Sequence, residues 1–280
     1  MEARLSLGWV EGCARFAHPI FDPMRPALAR LAREADWPDH ARLDALAADL
    51  GRMPRTRSGR RIRFVPPAPR GAQGENYELR VNARGEVATR PRNWHDLFNA
   101  LAWCLFPRTK ASLNAIHASE IPLHRDRRGP ARDLLTIFDE GGALVASSDP
   151  ELIALIRACR WRTLFWTERE RLLNGLRIVV CGHAVLEQAL MPWPGITCKA
   201  LLVPVEETLL HAPAEALTEV LDAAAAAWFD AYARSSSPRD LAALPVFGFP
   251  GWSEGSARPE FYADARYFRP QPRARMARDR

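Results

Sequence analysis

Residues 93–117, NWHDLFNALAWCLFPRTKASLNAIH, gather two Trp, two His, an Asp, three Asn and a Lys into 25 positions. Side chains of these types do acid–base and electrostatic chemistry. An imidazole moves protons near neutral pH, a carboxylate orients it, and an ammonium stabilises negative charge. The lysine is unusual here. Lys and Arg together number 39, yet Lys110 and Lys199 are the only lysines. A sequence that writes nearly every cation as Arg and keeps Lys at 110 points to a need for a compact ammonium rather than a planar guanidinium.

Helical spacing sorts these residues. Over 93–105, Trp94, Leu97, Phe98, Leu101 and Leu105 fall on one stripe, the core face of a helix. His95, Asp96, Asn99 and Trp103 fall on the opposite side. In the following helix Lys110, Asn114 and His117 stand at i, i+4 and i+7 and share a face. The two helices meet around Phe106-Pro107, so their polar faces can converge. This pattern predicts catalytic roles for His95, Asp96 and Lys110, and substrate contacts from Asn99, Trp103, Asn114 and His117. The competing expectation is a buried hydrogen-bond network that only holds neighbouring backbone in place.

A second constellation follows the apolar run at 176–181, which ends in Gly182-His183. Strand ends are where α/β folds commonly place ligand-contacting groups, so His183 joins the catalytic candidates. Glu187 lies four residues on and shares a helix face with it. That spacing lets one metal ion bind His183 and Glu187 together, or lets the carboxylate orient the imidazole. Asp139, in Asp139-Glu-Gly-Gly142, is a third carboxylate available to a cation or as a base, although acids before Gly-Gly commonly form a turn. The cofactor is left unknown, with a divalent metal open.

These residues need elements to hold them. Helices are predicted over 24–35, with Pro26 at the start, over 39–50 with Asp39 as N-cap, over 150–158 after Asp149-Pro150, and over 162–174. Residues 51–74, rich in Arg, Pro and Gly, read as an extended loop containing a short strand at 62–65. Tyr77, Leu79 and Val81 alternate with polar residues ahead of Asn82-Ala-Arg-Gly85, which predicts a hairpin returning through 86–89. A second hairpin is expected from 134–138 and 143–146 about Asp139–Gly142. Strand 176–181, helix 183–190 and strand 198–205 suggest a short βαβ-like unit. Residues 214–234 read as a long alanine-rich helix, and the aromatic tail beyond it packs on the body. The expected fold is α+β: a predominantly helical single domain with a small mixed sheet. Within it, residues 1–75 form N-terminal helices and an Arg/Pro-rich loop, 76–270 the main domain, and 271–280 a basic, disordered tail.

Composition excludes several classes. A hydrophobic fraction of 48% and nine Trp do not belong to a disordered chain. No apolar run is long enough to span a bilayer, and the first residues lack the apolar core of a signal peptide, so the expected setting is the cytoplasm. Five scattered cysteines form no C-x-x-C pair and read as reduced thiols. The net charge is +6 and unevenly placed. Residues 52–70 hold seven Arg and no acid, and the last dozen hold five Arg against one Asp. Such runs are solvated, flexible segments or arms that touch nucleic acid or anionic lipid. There is no G-x-S-x-G elbow, Walker loop, H-E-x-x-H or G-x-G-x-x-G.

The run at 93–117, then RDLLTIFDEGG, VCGHAVLEQAL, LPVFGFPGW and FYADARYFRP, resemble the bacterial family known as domain of unknown function 3025. The resemblance covers about residues 90–270 and implies a soluble bacterial protein. It carries no activity, cofactor or catalytic residue. The residues themselves point first to a hydrolase or transferase using a His/Asp/Lys pocket on a small anionic substrate, with metal assistance open. The alternatives are a nucleic-acid-binding module and a non-catalytic interaction or scaffold protein.

Overall fold

Helix starts in this chain lie where their residue types require. Asp39 accepts the backbone N–H of Arg42, Asn93 that of Asp96, and Asp149 those of Glu151 and Leu152, each satisfying donors a helix leaves open at its first turn. The computed structural model describes residues 7–68, 76–123, 129–193 and 195–270. The N-terminal part supplies α1 (Trp9–Cys13), α2 (Arg25–Leu31) and α3 (His40–Asp49). Strand β1 (Arg63–Val65), helix α4 (Tyr77–Arg84) and strand β2 (Glu86–Ala88) follow, then α5 (Trp94–Leu105), α6 (Pro107–Glu120) and α7 (Pro130–Gly141). The second half runs β3 (Gly142–Ser147), α8 (Pro150–Arg157), α9 (Arg169–Gly175), β4 (Leu176–Val180), α10 (His183–Ala189), β5 (Thr197–Pro204), α11 (Glu207–Leu210), α12 (Ala214–Tyr232) and β6 (Ala242–Pro245). The fold is α+β and dominated by helix.

Three sequence expectations are corrected. Tyr77–Arg84 is a helix, not the first strand of a hairpin. Its alternating apolar residues also satisfy i, i+4 spacing. Asn76 caps the start by accepting the Glu78 N–H, and Gly85, left-handed at φ 72°, ends it. The Asn-Ala-Arg-Gly turn signal is therefore a helix stop. Strands β1 and β2 on either side pair in parallel, so the strand–helix–strand unit of this chain is β1–α4–β2.

The second hairpin is absent as well. Leu134, Leu135 and Phe138 are the buried stripe of α7, which passes into β3 without a loop. Gly142 permits that junction, since a Cβ there would stand 2.3 Å from the Phe138 carbonyl oxygen. Asp139 and Glu140 thus occupy the last turn of a helix. The third correction concerns the βαβ-like unit. The sheet order is β4-β3-β5-β6, with β3 antiparallel to β4 and parallel to β5. Strands β4 and β5 are not neighbours and run in opposite directions. The run at 176–181 reads the same whichever way it is paired, because side chains buried on both faces carry no record of strand direction.

One hydrophobic core reaches from Trp9 to Phe268. Trp9 stacks on Trp94 of α5 with ring centroids 5.4 Å apart, and Trp37 lies 4.3 Å from the same ring. The N-terminus of α6 has no cap of its own. The Asp222 carboxylate of α12 accepts the N–H groups of Arg108 and Thr109 instead. The tail packs as expected: the Tyr267 hydroxyl donates to the Ile196 carbonyl and is buried. No described helix is long and apolar enough to cross a membrane.

Candidate functional site

Five helices converge on one polar cluster. Helix α5 brings its non-core face, α6 brings Lys110, Asn114 and His117, α7 brings Asp139 in its last turn, and α10 brings His183 and Glu187. Helix α4 closes the group with Tyr77 and Glu78. The start of α10 is pinned to the α7–β3 junction, because the N–H groups of Cys181 and Gly182 both donate to the Gly142 carbonyl. Gly182 allows the approach. A Cβ there would sit 2.4 Å from the Gly142 nitrogen and 2.6 Å from the Glu140 oxygen. This close packing sets His183 beside Asp139.

The hydrogen bonds form a chain. His95 Nδ1 lies 3.1 Å from Glu187 Oε2, and His95 Nε2 lies 3.1 Å from His183 Nε2. His183 Nδ1 faces Asp139 Oδ2 at 3.8 Å. Lys110 Nζ donates to Asp139 Oδ1 and, at 2.9 Å, to Asn99 Oδ1. Asn99 Nδ2 donates to the Tyr77 hydroxyl at 3.2 Å. Two imidazole nitrogens can bond only if one carries a proton and the other does not. Glu187 requires the proton on His95 Nδ1. In neutral rings His183 Nε2–H then donates to His95 Nε2, while His183 Nδ1 faces Asp139.

Burial pushes the His183 imidazole down to about 4, with the Lys110 charge adding to it, so the ring is neutral at pH 7. Burial also works against ionisation of Asp139, but the Lys110 ammonium holds its carboxyl below the ordinary range. The Lys110 side chain is only 7% exposed and lies 5.4 Å from the centre of the Trp103 ring. A compact ammonium with three donors fits between Asn99, Asp139 and an aromatic face, where a guanidinium fork does not. Lys199 is likewise structural: it donates to the carbonyls of Pro238 and Leu241.

A pocket of about 430 Å³ opens onto this chain. His95, His183, His117, Asn99 and Asp139 line it, with Arg90, Arg132 and Glu140 around them. It is large enough for a small metabolite. His95 is the more accessible imidazole, with 32% of its side chain exposed against 7% for His183.

Most of the expected residues meet. His95, Asp96, Asn99, His117, Asp139 and His183 line the pocket, while Lys110, Trp103 and Asn114 stand behind it. The anion beside Lys110 is Asp139 of the chain itself. Asp96 accepts the Arg90 backbone N–H and two guanidinium donors. Burial disfavours its charge, yet those bonds keep its carboxyl below the ordinary range. Its carboxylate is thus committed to Arg90. The His95 ring stands between His183 and Glu187, the pair expected to share a metal ion, and bonds to one through each nitrogen. Among the described residues no three His, Cys, Asp or Glu side chains cluster as metal ligands.

Glu78 and Tyr77 are the residues the sequence reading missed. Glu78 Oε2 accepts from Asn114 Nδ2 at 2.6 Å, and the same nitrogen reaches the Glu78 carbonyl at 3.0 Å. Burial, reinforced by the Asp139 charge, pushes the Glu78 carboxyl up to about 7, against the pull of Asn114, Lys110 and Arg132. The signal that could have found Glu78 is Asn76 as an N-cap.

The Arg-rich segment is largely tied down where it is described. Arg52 donates to the Leu105 carbonyl, Arg55 to that of Gly59, and Arg57 and Arg63 pair with Asp230 and Glu86. The basic tail at 271–280 lies outside the described residues.

The chain matches the model of a family described as "Protein of unknown function (DUF3025)" over residues 62–272. No curated protein and no solved structure matches it.

Proposed function

The chain belongs to the DUF3025 family, and on that footing we propose that it is an acid–base enzyme, a hydrolase or transferase, acting on a small anionic substrate. The observation that carries the reading is the Glu187–His95–His183 chain opening onto a polar pocket. Glu187 holds His95 in one tautomer and stabilises the imidazolium that forms when His95 takes a proton. A substrate N–H or O–H entering the pocket competes with His183 for the Nε2 lone pair. Arg132 on the wall supplies positive charge to an anionic group, Arg90 being paired with Asp96, and Lys110 acts indirectly by holding Asp139. Glu78, half-protonated near neutral pH, is the proton donor on the α4 side.

Metal assistance would have to draw on the Nε2 atoms of His95 and His183 and take its other ligands from water or substrate. Five free cysteines suit a reducing, cytoplasmic setting. The nucleic-acid reading has less support, since four arginines of the basic segment bond within the chain.

The test is turnover of a panel of phosphorylated and carboxylated esters and amides by the purified chain. His95→Ala lowers kcat/KM by about 10²–10⁴-fold, and Glu187→Gln by less, with unchanged circular dichroism. Dialysis against a chelator leaves the rate unchanged if the imidazoles work alone and removes it if they hold a metal. A scaffold role predicts the opposite pattern: both variants lose fold, and no panel member is turned over.

A further inference from the structure

Behind the main pocket lies a recess of about 10 Å³, walled by Tyr77, Glu78, Trp103, Lys110, Asn114 and Asp139 among others. Tyr77, Glu78, His117 and Asp139 line both spaces, so the recess adjoins the pocket. Two of the residues that wall it each hold a polar atom, Trp103 Nε1 and Asn114 Oδ1, buried without a hydrogen-bond partner. Their residues are 2% and 3% exposed. The indole N–H lies near the Tyr77 hydroxyl. Native proteins leave few buried polar atoms unpaired, so both atoms call for a partner.

The chemistry of that partner is constrained. Asn114 cannot exchange its oxygen and nitrogen, because Nδ2 is fixed by the Glu78 carbonyl and carboxylate. The walls therefore present one fixed donor and one fixed acceptor to a space that holds about one water-sized sphere. A carbonyl or carboxylate oxygen accepts but does not donate. An ammonium donates but does not accept, and a methyl group does neither. An oxygen that carries a proton does both. We propose that this recess is a hydroxyl-binding subsite: water fills it in the free protein, and a hydroxyl of the substrate displaces that water. As a subsite it rests on the larger pocket being a substrate site, whereas the water requires no turnover.

The test is a crystal structure of the free protein at a resolution that shows ordered waters, followed by a methanol soak. An oxygen is expected at about 2.7–3.2 Å from both Trp103 Nε1 and Asn114 Oδ1. Methanol is expected to replace it, hydroxyl inward and methyl toward the main pocket. Trp103→Phe keeps an aromatic ring and removes the donor, so the oxygen should vanish or shift. An empty recess, an oxygen bonded to neither atom, or one unmoved in Trp103→Phe overturns the proposal. A water that methanol cannot displace makes the site structural and overturns the subsite. None of these readings needs activity. Failure to find turnover, with methanol bound as expected, would count against the acid–base enzyme and leave the hydroxyl site standing.

Discussion

At Lys110 and Glu78 the surroundings of a single charged group bear directly on stability. Removing the ammonium leaves Asp139 charged and without its nearest counter-charge. Lys110→Met should destabilise the fold by about 3 kcal/mol, and Lys110→Arg should fail to restore it because a guanidinium does not fit the site. Adding Asp139→Asn should recover part of the loss, and a double-mutant cycle in urea measures the coupling. Glu78 gives a pH signature. Its carboxyl titrates near 7 when folded and near its ordinary 4.5 when unfolded. Between those values the folded chain keeps a proton that the unfolded chain releases, so this group's effect on stability becomes less favourable as pH rises from 4.5 to 7. His183 runs the other way: its folded value of about 4 lies below the ordinary 6.5, so stability is lost as pH falls through that window. Glu78→Gln removes the first effect. Its stability relative to wild type should rise from pH 4.5 to above 7 by on the order of 2–3 kcal/mol, read from urea midpoints at each pH.

The site is assembled by where helices start and stop, which is also where sequence patterns are least decisive. The polar face of α5 and α6 was legible because thirteen or more residues of 3.6-period pattern leave little ambiguity. His95, Asn99, Lys110 and His183 follow from that pattern and from the strand end before Gly182. The five-residue alternation at 77–81 fits strand and helix equally, and reading it as a strand hid Glu78. The sequence singles out Asp139 but points to a turn around it, since nothing local says that a helix will run straight into a strand. The partner of Glu187 lies 92 positions away in sequence, so no spacing rule could name His95 for it. Gly182 tests the role of the junction. Gly182→Ala has no backbone strain to overcome at φ −70°, yet its Cβ would collide with backbone of Gly142 and Glu140. The start of α10 must move, carrying His183 from Asp139 and His95. The expected result is a loss of kcat/KM of about tenfold or more with a modest fall in Tm, although no pocket side chain has been altered.

Across the whole molecule, the question is whether the N-terminal helices are an accessory or part of the folding unit. The family match begins at residue 62, which by itself invites the first reading. The packing argues for the second. Ile20, Phe21, Met24 and Leu28 are at most 1% exposed, and Phe21 stacks on Phe98 of α5. Burying four such side chains contributes about 1.5–3 kcal/mol each, on the order of 6–12 kcal/mol together. That is comparable with the about 5–15 kcal/mol by which a domain is stable in total. Taking away residues 1–50 should therefore unfold the remainder, or leave a chain that binds a hydrophobic dye through the uncovered Trp94 and Phe98. The intact protein should melt in one calorimetric transition whose van't Hoff and calorimetric enthalpies agree. Two resolved transitions, or a folded 51–270 fragment with a native-like near-ultraviolet spectrum, would show that α1–α3 only decorate a unit that stands alone. A single transition would tie the pocket's integrity to helices that contribute none of its lining.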